Sequence, residues 1–159
     1  MAKINKNQHM KTKILIILTI TAFFGGCKKS SFTTRPQISF GKLSATELRQ
    51  GNIITFTINF TDKEGDIQDT IWVQKISKVC TSPPNVQFIS PYPIPNFTAT
   101  PNLEGKLELS FVYNANMPGV SSIVGCTNKN DTTFFKFWMK DKAQNRSDTI
   151  QSPDIVLIR

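Results

Sequence analysis

The 159-residue chain is poor in the side chains that carry most enzyme chemistry. It holds one histidine, His9, and three cysteines, Cys27, Cys80 and Cys126. His9 lies in the extreme N-terminal segment, so the rest of the chain offers no imidazole base, no Ser-His-Asp or Cys-His arrangement and no HExxH zinc site. A glycine-rich phosphate cradle is also missing, and only eleven acidic residues stand against nineteen Lys and Arg. What remains for catalysis is carboxylate chemistry of the paired Asp/Glu kind that cleaves glycosides. A small sandwich with flexible turns has no evident deep cleft for it, so a non-enzyme is expected.

The N-terminus is informative. A basic stretch (Lys3, Lys6, Lys11, Lys13) precedes the apolar run ILIILTITAFF at 14–24 and the exit Gly25-Gly26-Cys27, the anatomy of a signal peptide. Eleven residues are too few for a span, which needs about 20. MKTKILIILTITAFFGGC from Met10 is itself a complete leader, so Met1 and Met10 are both candidate starts.

The exit FGGC resembles the lipobox of bacterial lipoproteins. That resemblance implies that residues 1–26 are removed and that Cys27 is acylated and becomes the first mature residue. Two or more acyl chains hold a protein stably at a bilayer, at about 0.8 kcal/mol per buried CH₂. The implied address is the envelope of a Gram-negative bacterium, in its outer membrane, with the periplasmic and surface faces both open. With Cys27 lipidated, Cys80 and Cys126 remain in an oxidising compartment. They are expected to pair, the alternative being two separate buried thiols. A loop of this length would contribute roughly 4 kcal/mol.

The leader holds four of the basic residues and none of the acids, so the formal charge falls from +8 to +4 beyond it. The remaining charges are scattered, with none of the basic stripe that nucleic-acid binding requires. Lys28 and Lys29 suit anionic headgroups, and the polar segment at 27–35 reads as a flexible tether.

From residue 36 to 159 the pattern is strand after strand. IITFTINF puts Ile54, Phe56, Ile58 and Phe60 on one face, with threonines and Asn59 on the other. KLELSFVY and TTFFKFWMK repeat the alternation, and PQISF, TIWVQKI, VQFI and DIVLI are shorter candidates. About seven strands without a helical period predict a single all-β domain, an Ig-like antiparallel β-sandwich. Six of nine prolines fall from Pro83 to Pro101, marking an edge or a wandering loop.

Two loops echo one another. DKEGDIQDTI (62–71) and DKAQNRSDTI (141–150) both read Asp-Lys, five residues, Asp-Thr-Ile, each after an alternating strand. In a seven-stranded sandwich, loops at these positions lie at the same end. Such Asp-rich turns resemble those of cadherin-like and other Ig-like envelope modules, some of which gather Ca²⁺ between loop ends. Carried over by position, Asp62, Glu64, Asp66 and Asp141 are the candidate ligands, with carbonyls and water completing a shell of six to eight oxygens. Ca²⁺ is the sole candidate cofactor, and none is required by the sequence. The alternative is a solvated turn, for which Asp and Gly are ordinary residues.

Asp69-Thr70, Asp131-Thr132 and Asp148-Thr149 resemble the sequon of a periplasmic O-glycosylation system, making Thr70, Thr132 and Thr149 candidate acceptors. Asp-Thr at the opening of a strand is the alternative. Trp138 and Tyr92 are candidates for a sugar- or partner-binding platform, whereas Trp72, between Ile71 and Val73, reads as core. The leading expectation is a lipid-anchored, non-enzymatic binding or structural module with a protein or glycan partner. The second is a glycan-binding accessory lipoprotein.

Overall fold

The computed structural model describes residues 32–80 and 87–159. The expected signal peptide (1–26), Cys27, Lys28, Lys29, Pro83 and Pro84 lie outside the described residues, as does the first residue of the strand expected at 86–89. Among the described residues there is no helix, and none therefore long and apolar enough to cross a membrane.

Among the described residues, ten strands form two sheets. In chain order they are β1 (Gln37–Leu43), β2 (Glu47–Leu48), β3 (Ile53–Asp62), β4 (Thr70–Ser77), β5 (Phe88–Pro93), β6 (Leu103–Tyr113), β7 (Ser121–Ile123), β8 (Asp131–Lys140), β9 (Ile150–Gln151) and β10 (Ile155–Leu157). One sheet runs β1-β3-β6-β7; the other runs β2-β10-β8-β4-β5, with β9 also on β8. The all-β sandwich that the alternation predicts is what forms. The seven expected strands are all present, and the three further ones, β2, β7 and β9, are two or three residues long. Stretches that short carry no readable period. The sheets are not wholly antiparallel, because β2 joins β10 and β7 joins β6 in parallel.

The period of two explains the core. On β3, Ile54, Phe56 and Ile58 are fully buried, while the intervening Thr55, Thr57 and Asn59 are half-exposed. β3 pairs with β6 over ten residues, from Ile53↔Val112 to Asp62↔Leu103, which sets Phe56 and Phe111 on the same inward face. Across the sandwich β8 contributes Phe135, Phe137 and Met139, all fully buried. The Phe56 ring lies 4.7 Å from Phe135, 5.2 Å from Phe137 and 6.0 Å from Phe111, within the tilted and edge-on range that aromatic quadrupoles favour. Each such burial contributes about 1.5–3 kcal/mol.

β5 carries Pro91 and Pro93 and is an edge strand, where a missing N–H costs no ladder bond. Cys80 and Cys126 form a disulfide with Cα atoms 5.9 Å apart. It closes the end of the sandwich at which β4 finishes and β8 begins. The opposite end, where β3 and β8 finish and β4 begins, holds the two echoing loops. Residues 33–35, expected to be part of a flexible tether, are hydrogen-bonded to those loops.

Candidate metal centre

Both loops start with an aspartate that caps its own turn. Asp62 ends β3, and its Oδ1 accepts from Gly65 N (2.5 Å) and Asp66 N (3.3 Å). Gly65 has φ of +73°, and a Cβ there would stand 2.1 Å from the Thr100 carbonyl oxygen, so glycine alone fits this turn. Asp141 follows β8, its Oδ1 accepting from Asn145 N (2.7 Å) and its Oδ2 from Asn145 Nδ2 (2.8 Å). Lys142 N donates to the Asp66 carbonyl at 2.9 Å and ties one loop to the other.

The result is a group of three carboxylates. Asp62, Asp66 and Asp141 each present an oxygen within 4.8 Å of the others, and Asp62 and Asp141 are fully buried. Glu64 is not among them. Its side chain is exposed, and its Oε1 accepts from Thr34 Oγ1 at 3.3 Å. In the turn, Glu64 sits on the solvent side, so the fourth expected ligand is withdrawn from the group.

The hydrogen bonding is incomplete in a specific way. Among the described residues, the buried side-chain polar atoms without a hydrogen-bond partner are Asp62 Oδ2, Asp66 Oδ1 and Gln68 Oε1. All three are acceptors within seven residues of one loop. The Gln68 amide nitrogen donates to the carbonyls of Gly65 (3.2 Å) and Phe97 (3.1 Å), so the remaining amide atom must be the oxygen. Gln68 gave no sequence signal, because a single amide in a polar loop has no pattern to read.

Among the described residues, no cation of the chain answers these acceptors. The ion pairs among the described residues, Arg35–Asp148, Lys75–Asp131 and Lys78–Asp154, involve none of the three. Lys63 and Lys142, in the same loops, are exposed. The Asp62 carboxyl is pushed above its usual range chiefly by burial. The donors Gly65 N and Asp66 N oppose the shift, and the charges of Asp66 and Glu64 add to it. An unpartnered buried polar group costs about 1–3 kcal/mol, and more when charged. The donors are all oxygen, which suits hard cations such as Ca²⁺ rather than zinc.

The other sequence candidates scatter. Trp138 and Tyr92 lie on opposite faces of one sheet and cannot share a platform. Tyr92 points inward and meets Phe111 edge-on at 5.5 Å. Trp138 points outward with Trp72, its cross-strand partner, in parallel planes with centroids 6.1 Å apart. Trp72 is therefore not core, because alternation from the buried Ile71 and Val73 turns it outward. The Arg146 guanidinium covers Trp138 at 4.9 Å, from the side of β8 away from β4. Trp138 thus sits between Trp72 and Arg146, with its ring already stacked.

Of the candidate acceptors, Thr149 is exposed, whereas Thr70 and Thr132 are half-buried within β4 and β8. The neighbouring aspartates have structural partners. Asp69 accepts from Thr70 and Gln144, Asp131 is fully buried against Lys75, and Asp148 pairs with Arg35.

No protein-family profile matches the chain, and no curated protein matches it. Among solved structures, it is similar to the sporulation control protein Spo0M from Bacillus subtilis, at 14% identity and a TM-score of 0.42. That match covers 80% of this chain and 51% of the other, so the chain spans about half of Spo0M's length. A Niemann-Pick type C2 protein from the Japanese carpenter ant matches at 8% identity and a TM-score of 0.36, covering 83% of this chain and 99% of that one. Neither likeness bears on the site, which stands on its own geometry.

Proposed function

We propose that the protein is a non-enzymatic, lipid-anchored module of a Gram-negative outer membrane, and that a Ca²⁺ ion bound by Asp62, Asp66 and Asp141 fixes one loop end. The observation that carries the cation is the set of three buried orphan acceptors in one loop, two of them carboxylates, with no orphan donor beside them. An ion gives those oxygens a partner that the fold does not supply. Catalysis is a poorer reading. Carboxylates this close approach the spacing of a retaining glycosidase, about 5–5.5 Å, but Asp62 and Asp141 are fully buried and no sugar can reach them. The glycan reading through Trp138 is weaker too, because both flanks of that ring are taken by Trp72 and Arg146.

The deciding experiment is thermal unfolding in EDTA and then in millimolar Ca²⁺. A ligand at 100 times its Kd contributes about 2.7 kcal/mol, a rise of several degrees in Tm for a domain this size. The rise should vanish in the Asp62→Asn/Asp141→Asn double variant. An equal Tm with and without Ca²⁺ in the parent sinks the cation reading. The anchor is tested separately by labelled palmitate in whole cells, which should be incorporated by the parent and lost with Cys27→Ser. Equal labelling of the two rejects it.

A further inference from the structure

The segment that enters the domain is hydrogen-bonded to the same two loops that hold the carboxylates. Lys63 N, next to Asp62, donates to the Thr33 carbonyl at 3.1 Å, and Thr34 Oγ1 donates to Glu64 at 3.3 Å. Arg35 Nε donates to the Arg146 carbonyl at 2.5 Å, and its Nη2 pairs with Asp148. Arg146 follows directly on Asn145, which clasps both oxygens of Asp141. Pro36, the next residue, is buried. The segment is thus stitched to the 62–69 loop by Thr33 and Thr34 and to the 141–149 loop by Arg35.

We infer that the cation site and residues 33–35, through which the chain enters the domain, are one coupled unit: the ion that draws the two loops together also orders this segment. The inference rests on the cation reading. An ion shared by Asp62 and Asp66 on one loop and Asp141 on the other holds the surface on which residues 33–35 lie. A separation of the loops strains the contacts to Arg35 and Thr33 together. Coupling of this kind is reciprocal, so what loosens the segment weakens the ion by the same factor.

The test is a Ca²⁺ titration of the full chain in detergent, comparing the parent, Arg35→Ala and, as a remote exposed control, Lys42→Ala. Arg35→Ala should bind Ca²⁺ about fivefold more weakly, with Lys42→Ala at the parent's value. In the parent alone, Ca²⁺ should slow amide hydrogen exchange of residues 32–35 by a similar factor, a readout that needs no variant. Parent-like affinity in Arg35→Ala, or exchange at 32–35 that ignores Ca²⁺ while the parent binds it, overturns the coupling and leaves the ion site standing. A parent that binds no Ca²⁺ removes both.

Discussion

The sandwich buries carboxylates at both ends and treats them differently. At the disulfide end, Asp131 is fully buried, but the fully buried ammonium of Lys75 lies 3.0 Å from its Oδ2 and the Ser77 hydroxyl donates to its Oδ1 at 2.5 Å. At the loop end, Asp62 and Asp141 are as deeply buried and share a third carboxylate with no ammonium or guanidinium among them. One end supplies its own counter-charge, and the other leaves acceptors open. A buried charge without a partner is among the most costly features a fold can carry. The open end is therefore intelligible as a site completed from solution, whereas the closed end is complete within the chain.

The sharpest way to break this contrast is to open the closed end. Lys75→Met leaves Asp131 buried and uncompensated, and should cost about 3–5 kcal/mol in denaturant unfolding. The double variant Lys75→Met/Asp131→Leu should recover most of that loss, since apolar residues of similar volume often replace a buried pair at little cost. A loss below about 1 kcal/mol in the single variant would show that burial of Asp131 is not what demands Lys75. Burial also pushes the Lys75 ammonium below its ordinary range, against the opposing pull of Asp131.

A smaller effect, of opposite sign, is expected at the open end. Because burial raises the Asp62 pKa, the folded state favours its neutral form. The penalty for ionising it is absent below the ordinary value of 3.8 and grows as pH rises through the interval above it. Asn keeps the oxygen that accepts from Gly65 and Asp66 without the charge. In EDTA, Asp62→Asn should therefore melt about one to a few degrees above the parent at neutral pH, with the gap closing toward pH 4. In millimolar Ca²⁺ the order should reverse. If Asp62→Asn melts below the parent in EDTA at pH 7, the carboxylate is not a liability in the ion-free fold, and the contrast with Asp131 fails.

Much of this was legible beforehand, and the gaps follow from what a strand pattern encodes. Alternation located β3, β6 and β8 because half-buried strands must repeat every two residues. The paired Asp-Lys loops were legible because each caps a turn at a strand's end. The same period also sorts β4. Ile71, Val73 and Lys75 share one inward series on β4, which marks both the buried lysine and the outward turn of Trp72. Glu64 and Gln68 could not be sorted in this way, because an irregular turn has no period to say which side chains point inward.

By itself the sequence determined the all-β class and the inward residues of its long strands. It determined these because side-chain direction along a strand is local, set by the pleat. Which acids meet, which ring is stacked and which end receives the N-terminal segment depended on pairing between residues far apart in the chain. Asp62 and Asp141 come together only because β3 and β8, in different sheets, finish at one end of the sandwich. Lys75 finds Asp131 only because β4 and β8 run antiparallel in a register that sets Ser77 opposite Thr133.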